Sequence, residues 1–380
     1  MNKKIKIAAD SKIPFLKGVL EPFSEVKYLD PLEITKEEIQ DTDALIIRTR
    51  TRCDSSLLDG TKVKSIATAT IGYDHIDQSY CDQNNIRWIN APGCNSSSVM
   101  QYMAAALLTL AKEKSFDLAD RTIGIIGVGN VGSKVAKLAE IFGMKVLCND
   151  PPRERIEGNI GFVSLDEIIS KSDIITFHVP LIKESIDKTF HMADETFLAN
   201  LKKGTIIINT ARGEVIDTYA LKDAINRGIV LGAILDVWEN EPNIDLELLE
   251  FVDIATPHIA GYSVDGKANG TSVCVKAVSE FFGFGITQDW YPQLPEPLNP
   301  TIIDLDFSGK SNQEIFYDAV SAAYNIREDD ARLRNSPGTF EYQRGNYPVR
   351  VEFPHYKIKL HNLRLETVSS LQRLGFKIIS

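Results

Sequence analysis

A glycine-rich turn, GVGNVG at residues 127–132, is the feature that most constrains this chain of 380 residues. It follows the β-branched apolar run 123–126 and precedes a helical pattern that ends near Phe142. A second apolar run at 144–148 comes next, and Asp150 follows it directly. This order of strand, turn, helix and strand predicts a βαβ unit of a parallel sheet, whereas a glycine pattern without that context carries little information.

The glycines of this turn predict a dinucleotide site. Gly127 permits the sharp turn, Gly129 lets the backbone approach a pyrophosphate, and Gly132 allows close packing of the helix, whose first N–H groups would bind the anion. The alternative is a tight βαβ turn that holds no ligand. The residues expected to contact the cofactor here are Gly127, Gly129, Asn130, Val131 and Gly132.

Asp150 indicates which dinucleotide is bound. Its carboxylate would accept hydrogen bonds from a ribose 2′-hydroxyl and would repel a 2′-phosphate, so the expected cofactor is NAD rather than NADP. Arg153 and Arg155 lie close by in the sequence and leave NADP open as an alternative.

Composition and charge exclude several classes of partner. The net charge of −10 disfavours binding to nucleic acid or to an anionic membrane, and no apolar run reaches the length of about 18 residues that a membrane span needs. The five cysteines are scattered and never form a CxxC pair. We therefore expect reduced thiols, no metal site, and a cytoplasmic protein without a signal peptide.

The order of patterns along the chain predicts three domains. The expected fold class is α/β, with two doubly wound parallel-sheet domains, a Rossmann NAD-binding domain and a flavodoxin-like substrate domain, followed by a C-terminal α+β dimerisation domain. The proline-rich stretch Asp289–Pro300 reads as a linker. The predicted bounds are 1–93 plus 259–285 for the substrate domain, 94–258 for the NAD-binding domain, and 286–380 for the linker and C-terminal domain.

Local patterns also predict individual elements within these domains. A long helix is expected from Asn95 to Lys112, and Asp217 is expected to cap a helix that stops at Gly228. The patterns further predict a helix near Phe15–Leu20 and, in the C-terminal domain, a strand at Val349–Phe353.

Three polar residues follow consecutive strands of the predicted NAD-binding sheet. Arg212 follows the run 205–209, Glu241 follows 231–237, and His258 follows 254–256. Because ligands bind beyond the carboxyl ends of strands in an open α/β sheet, these side chains are expected to share one crevice.

The three residue types suit the oxidation of a 2-hydroxy acid. A histidine can remove the hydroxyl proton near neutral pH, and a carboxylate bonded to its far nitrogen fixes the tautomer. An arginine can hold the substrate carboxylate in a bidentate manner. Each residue taken alone is as readily a loop or surface residue. His178, at the end of another strand, is interpreted as part of the wall of the cofactor pocket.

The segments NTARG, DVWENEP and PHIAG, together with the glycine turn, resemble those of the D-isomer-specific 2-hydroxyacid dehydrogenases over about residues 1–285. The resemblance implies that Arg212, Glu241 and His258 are the catalytic residues. It also implies that Asp236 contacts the nicotinamide amide and that Val179 lines the cofactor. The further cofactor contacts expected around them are His178, Thr210, Ala211, Arg212 and Gly261.

Four other segments, TATIGYDHID, APGCNSSSV, CNDPPRER and HIAGYSVDGKANGT, resemble the branch of this family that acts in vitamin B6 biosynthesis on a phosphorylated 2-hydroxy acid. That branch has a C-terminal domain that forms a homodimer, to which residues after about 300 would correspond. The resemblance also suggests that Arg350 reaches the site of a second subunit. The substrate-binding residues that it implies, together with an arginine for the phosphate, are Arg48, Thr49, Thr70 and Tyr262.

The alternation of Arg48, Arg50 and Arg52 supports a phosphate site, since residues two apart in an extended segment lie on one face. The alternative is a solvated strand edge on which arginines discourage pairing. For the whole protein, the alternatives are another D-2-hydroxyacid dehydrogenase, acting on 3-phosphoglycerate or an unphosphorylated acid, and an NAD-sensing corepressor-like binding protein.

Overall fold

The computed structural model describes residues 4–158, 161–297, 300–362 and 364–379, and within them the chain is an alternation of short strands and helices. The strands are β1 (Ile5–Asp10), β2 (Ser24–Leu29), β3 (Ala44–Ile47), β4 (Ser65–Thr68), β5 (Arg87–Ile89), β6 (Thr122–Ile126), β7 (Lys145–Asn149), β8 (Ile174–Phe177), β9 (Thr205–Asn209), β10 (Val230–Leu235), β11 (Ile254–Ala255), β12 (Ile302–Asp306), β13 (Lys357–His361) and β14 (Lys377–Ile379). The helices are α1 (Lys36–Ile39), α2 (Ser55–Leu58), α3 (Gln78–Gln83), α4 (Ser96–Glu113), α5 (Gly132–Ile141), α6 (Pro151–Glu157), α7 (Leu165–Lys171), α8 (Glu195–Ala199), α9 (Thr218–Asn226), α10 (Leu246–Phe251), α11 (Val264–Phe282), α12 (Asn312–Ala323), α13 (Ile326–Asn335), α14 (Phe340–Gly345) and α15 (Leu365–Leu374).

The chain divides into two compact units. The first consists of residues 1–95 with 263–296, and the second of residues 96–262 with 297–380. The three-domain division expected from the sequence stays a prediction. The linker expected at Asp289–Pro300 includes residues 298 and 299, which lie outside the described residues.

The first unit is built on a five-stranded parallel sheet in the order β2-β1-β3-β4-β5. Apolar residues fill both faces, because helices and turns cover the sheet on each side. Helix α11 packs on one face through Cys274, Val275 and Val278, all fully buried. This order is the flavodoxin-like one, as the sequence predicted.

The second unit contains a six-stranded parallel sheet in the order β11-β10-β9-β8-β6-β7. The chain at Val163 continues the edge beyond β7, since its N–H donates to the carbonyl of Cys148. The strand order reverses at β6, which pairs with β7 on one side and β8 on the other, and the glycine turn follows that strand. This topology confirms the doubly wound fold and places the turn at the switch point where such sheets bind ligands.

The C-terminal segment of the second unit has its own parallel sheet, in the order β12-β13-β14. The segment packs against the strand that precedes His258: the Arg334 guanidinium donates to the carbonyls of Leu249 and Val252, and Asp330 accepts from the N–H of Ala255. The residues after β11 are therefore held partly by the far end of the chain.

Two predicted elements are wrong. Phe15–Leu20 forms turns instead of a helix, and Phe15 and Gly18 both have a positive φ that a right-handed helix does not allow. Val349–Phe353 is irregular instead of a strand, because its buried groups bond to α4 in place of a neighbouring strand: the Val351 carbonyl accepts from Gln101. Among the described residues, no helix is long and apolar enough to cross a membrane.

Candidate active site

The glycine turn is as tightly constrained as its sequence indicates. A Cβ on Gly132 would lie 2.0 Å from the carbonyl oxygen of Gly127, and a Cβ on Gly127 would lie 2.6 Å from the carbonyl oxygen of His178. Gly127 also has φ of +85°, which favours glycine. A Cβ on Gly129 would meet no atom within 4 Å, so this residue faces the open side where a pyrophosphate would approach. The cradle therefore fits a dinucleotide.

The residues around Asp150 fit NAD. Its carboxylate accepts hydrogen bonds from the backbone N–H of Val128 at 2.8 Å and from that of Arg153 at 3.1 Å, which fixes the acidic group beside the turn. Arg153 pairs with Glu157 at 2.7 Å, and Arg155 pairs with Asp187. Because both arginines already have carboxylate partners, neither is committed to a 2′-phosphate.

Arg212, Glu241 and His258 follow β9, β10 and β11, which are adjacent strands of the same sheet. The sheet therefore brings all three residues to one edge, as predicted from their positions after the strands. Gly213 makes this approach possible, because a Cβ there would lie 2.0 Å from the backbone of Trp238. The loops that carry Arg212 and Glu241 are thus packed against each other with no room for a side chain.

His258 and Glu241 form a direct pair, with the His258 Nδ1 and the Glu241 Oε2 at 2.8 Å. Both side chains are about one fifth to one third exposed (29% and 18%), so the pair lies at the surface of the sheet edge and not inside the core. With Nδ1 bonded to the carboxylate, Nε2 is left as the nitrogen that can exchange a proton with a substrate.

The backbone at His258 is held in a strained conformation, with φ of +56°. Asp236 provides most of the restraint: its carbonyl accepts from the N–H of His258 at 2.7 Å, and its carboxylate accepts from the N–H groups of Ile259 and Ala260 at 2.7 and 2.9 Å. Burial raises the pKa of Asp236, and these donors together with Thr256 oppose that rise. Asp236 therefore shapes the turn on which His258 stands.

The Glu241 carboxylate is ionised at neutral pH. Burial raises its pKa, but His258, Arg344 and the N–H of Trp238 outweigh burial and hold the pKa below the ordinary value. In its ionised form, Glu241 can accept a hydrogen bond from a protonated Nδ1 of His258.

His178 lies behind the glycine turn and is neutral. Its ring nitrogens face the hydroxyls of Thr176 at 3.0 Å and Thr210 at 3.3 Å, and burial lowers its pKa to about 3. Val179, the next residue, also touches the turn, since its side chain would meet a Cβ on Gly127 at 2.8 Å. Both residues therefore lie beside the glycine turn, and their contact with the cofactor stays a prediction. The low pKa makes His178 unsuitable as a base.

The arginines at 48–52 are arranged differently from the prediction. Strand β3 ends at Ile47 and residues 48–51 form a turn, so the extended segment expected there is wrong. The Arg48 Nε donates to buried Asp10 at 2.7 Å, whereas Arg52 pairs with Asp54. The three arginines therefore do not lie on one face of a strand.

The other predicted substrate residues of the first unit are Thr49, which is exposed, and Thr70, which is half-buried. The Thr70 hydroxyl lies 2.8 Å from that of Thr68 and donates to the carbonyl of Gly72 at 3.0 Å, so its orientation is fixed.

Tyr262 and Gly261 end the turn that begins at His258, where the Tyr262 N–H donates to the carbonyl of Ile259. Arg350 supports the same turn from the C-terminal segment: its Nη2 donates to the carbonyls of Ile259 and Ala260 at 3.2 and 2.6 Å. Arg350 is buried within its own chain, at 6% exposure, and the suggestion that it reaches the site of a second subunit stays a prediction.

The sequence did not identify two residues that shape these sites, Asp10 and Arg344. Asp10 directly ends β1, and inspection of every strand end would have found it. Arg344, which approaches Glu241, follows no strand, and nothing in its local sequence marks it. Arg350 was suggested by the family resemblance, but its place beside the His258 turn was not predicted.

A Rossmann sheet, a glycine turn with its acidic residue, and a histidine–carboxylate pair at the same sheet edge define an NAD-dependent dehydrogenase. Residues 99–260 match the D-isomer specific 2-hydroxyacid dehydrogenase NAD-binding domain, and residues 297–375 match a domain of unknown function. A solved D-lactate dehydrogenase from Aquifex aeolicus, complexed with NAD and lactic acid, is similar at a TM-score of 0.63 and 30% identity, covering 73% of this chain and 96% of that one.

Full-length relatives narrow the class. An erythronate-4-phosphate dehydrogenase of Bacteroides thetaiotaomicron is 52% identical over 355 residues, which cover 93% of this chain and 99% of the relative. That of Proteus mirabilis is 40% identical, covering 98% of this chain and 99% of the relative. The chain belongs to the D-isomer specific 2-hydroxyacid dehydrogenases and, among them, to the family of the erythronate-4-phosphate dehydrogenases.

Proposed function

We propose that this protein catalyses the NAD-dependent oxidation of 4-phospho-D-erythronate to (R)-3-hydroxy-2-oxo-4-phosphobutanoate, a step of vitamin B6 biosynthesis. The observation that carries the proposal is the His258–Glu241 pair at the edge of the sheet that bears the glycine turn. The names of the full-length relatives support the choice of substrate.

In this reaction His258 is the base. Its Nε2 takes the proton of the C2 hydroxyl, and the charge that develops on the ring is balanced by Glu241 at Nδ1. When bound at the glycine turn, NAD would supply the acceptor for the hydride of C2. Arg212 holds the substrate carboxylate, which fixes the face of C2 that is presented. In the reverse direction the protonated His258 donates to the carbonyl oxygen.

The cofactor contacts that we propose come from the loops after the six strands of the second unit's larger sheet, β6 to β11. The pyrophosphate would lie against the glycine turn at Gly127 and Gly129, where the backbone can approach it. The adenosine ribose would bond to the Asp150 carboxylate, which is fixed beside that turn. The further contacts proposed along the nicotinamide half are His178, Val179, Thr210, Ala211, Asp236 and Gly261.

Arg48, Thr49, Thr70 and Tyr262 are the proposed substrate contacts. A phosphate group needs cations in a protein of net charge −10, and Arg48 and Arg50 are the two candidates from the first unit. Arg48 keeps part of its guanidinium exposed while it bonds to Asp10, since its side chain is 30% accessible.

An NADH absorbance screen tests the substrate. The acids to compare are 4-phospho-D-erythronate, D-erythronate, 3-phosphoglycerate and D-lactate, with the 2-oxo products followed in reverse. We expect turnover to be highest with 4-phospho-D-erythronate. Preference for 3-phosphoglycerate or an unphosphorylated acid would contradict the proposed substrate, and NAD binding without turnover on any acid would favour a corepressor-like role.

Replacing the arginines tests the phosphate contact. Arg48→Lys and Arg50→Gln are each expected to raise the KM for the phosphorylated acid by about tenfold, which corresponds to about 1.4 kcal/mol, and to raise that for D-erythronate less. Arg52→Gln is the matched control, because Arg52 is 81% exposed and pairs with Asp54. Equal effects on both acids would remove the phosphate assignment.

We also propose that the protein is a cytoplasmic homodimer that assembles through its C-terminal segment. The five described cysteines are free thiols, four of them buried, which suits a reducing compartment. Light scattering on the full chain tests the dimer: a mass of twice the chain is expected, and a monomer at micromolar concentration would contradict it.

A further inference from the structure

The segment that matches a domain of unknown function places a charged side chain beside the proposed catalytic pair. Arg344 lies on α14, and its Nη1 is 3.9 Å from the Oε2 of Glu241, the same oxygen that bonds to His258. The Arg344 guanidinium also lies over the ring of Tyr262, 5.8 Å from its centre. The C-terminal segment therefore brings a positive charge close to the pair.

Helix α14 is fixed firmly enough to hold this arginine in place. Phe340 is 1% exposed and packs into the core beneath the NAD-binding sheet with Trp238 and Leu248. Gln343 is buried and donates to the carbonyls of Arg332 and Ser336 and to the hydroxyl of Thr339, which closes the helix onto the preceding turn. The position of Arg344 follows from this packing.

The Arg344 guanidinium has two carboxylate neighbours, Glu341 and Glu241. Its Nη1 donates to Glu341 at 3.3 Å, while its Nε is buried and has no hydrogen-bond partner among the described residues. The side chain is 13% exposed, so solvent screens its charge much less than on an open surface. A buried guanidinium in this position stabilises a neighbouring carboxylate anion.

We propose that Arg344 is a positioning residue of the dehydrogenase: it holds Glu241 ionised and makes the His258–Glu241 pair less prone to take up a proton. This inference rests on the proposed function of that pair. The charged and titratable groups closest to Glu241 are His258 and Arg344. Around these two lie Glu341, which bonds to Arg344, Asp236, which bonds to the His258 turn, and Tyr262, which lies beside the guanidinium.

The consequence is a shift in the pH dependence of catalysis. Oxidation needs the pair free of the additional proton, so kcat/KM falls on the acid side where the pair takes one up. Loss of a positive charge close to the pair makes that proton easier to bind. The acid limb of the kcat/KM profile should therefore move to higher pH when Arg344 is replaced.

The experiment compares Arg344→Gln, Arg344→Lys and Arg373→Gln with the wild-type protein. Arg373 is exposed on α15, so its replacement removes the same charge from a solvated position. For Arg344→Gln we expect the midpoint of the acid limb to rise by about one pH unit, with about a tenfold loss of kcat/KM below it and a plateau within about threefold of wild type. Because Arg344→Lys keeps the positive charge, its acid-limb midpoint should rise by no more than half as much as that of Arg344→Gln. Arg373→Gln should have the same midpoint as wild type.

Controls separate this inference from the proposed function. Wild-type turnover of 4-phospho-D-erythronate is measured first, since its absence would refute the proposed function before any variant is compared. Thermal unfolding and NADH binding of each variant show whether the fold is kept. An unmoved midpoint in a folded Arg344→Gln protein, an equal shift in Arg373→Gln, or an effect confined to the KM of the phosphorylated acid would each overturn the assignment of Arg344.

Discussion

Two turns at the edge of the same sheet reach their shapes by different means. The turn after β6 has positive φ at Gly127, and glycines occupy the positions where a Cβ would strike the backbone. The turn after β11 has positive φ at His258, a residue with a bulky side chain, and its shape depends on Asp236 and Arg350. The first turn is specified by its own residues, and the second by residues distant in the sequence.

The difference follows from what each turn does. A dinucleotide site needs exposed backbone N–H groups, which glycines supply at no steric cost. The second turn must present an imidazole, so glycine is unsuitable, and the strain of about 1–3 kcal/mol is balanced by hydrogen bonds from elsewhere. Replacing a glycine of the first turn and replacing Arg350, the distant residue that bonds to the second turn, should therefore have different effects on stability, cofactor binding and turnover.

Gly132→Ala is expected to have the largest effect on stability. The new Cβ would lie 2.0 Å from the carbonyl oxygen of Gly127, so the turn and α5 must separate. We expect the free energy of unfolding to fall by about 3 kcal/mol, measured by denaturant titration, with loss of NADH binding. Gly129→Ala is the control, because its Cβ would meet no atom within 4 Å. Equal stability of the two variants would refute the local account of this turn.

Arg350→Met tests whether the hydrogen bonds from Arg350 hold the His258 turn in shape. The substitution removes two hydrogen bonds to the carbonyls of Ile259 and Ala260 and leaves those groups buried. The free energy of unfolding should fall by about 2–3 kcal/mol, and kcat should fall while NADH affinity changes little. Arg332→Met is the matched control, since Arg332 is 36% exposed and pairs with Asp329. An unchanged kcat in Arg350→Met would show that the His258 turn keeps its shape without the hydrogen bonds from Arg350.

Acid should act on the first turn through His178. Its pKa is about 3 in the folded protein and 6.5 ordinarily, so below pH 6.5 the unfolded chain binds a proton that the folded protein excludes. The contribution of His178 to the free energy of unfolding is thus fully present above about pH 6.5. On acidification it falls by about 1.4 kcal/mol per pH unit, down to about pH 3. Denaturant titrations at pH 7 and pH 5 measure the effect. Between these two pH values the free energy of unfolding of His178→Gln should fall by about 2 kcal/mol less than that of wild type. The same pH dependence in both proteins would exclude His178 as the cause.

The contrast between the two turns also explains how far the sequence could predict the structure. Strand β9 begins and ends where its pattern places it, helix α4 does so to within one residue at each end, and Asp217 caps α9 as expected, because those signals are local. Phe15–Leu20 and Val349–Phe353 were misassigned because turns and contacts with other elements override their local patterns.

The candidate site divides in the same way. The rule that ligands bind at strand ends located His258 and Glu241, and the structure brings them to 2.8 Å. The pairing of Arg48 with Asp10 and the approach of Arg344 to Glu241 come from tertiary packing alone, since each joins segments far apart in the chain. No local pattern encodes such contacts.

The turnover of His258→Asn tests the central claim most directly. Asparagine tolerates positive φ, so the turn should keep its shape while the base is lost. NADH formation from 4-phospho-D-erythronate should fall by about 1,000-fold with NADH binding retained. His191→Asn is the matched control, because His191 also has positive φ and bonds to a carboxylate, Glu239, at 2.6 Å, and its turnover should stay within about threefold of wild type. Near-normal turnover by His258→Asn would contradict the account.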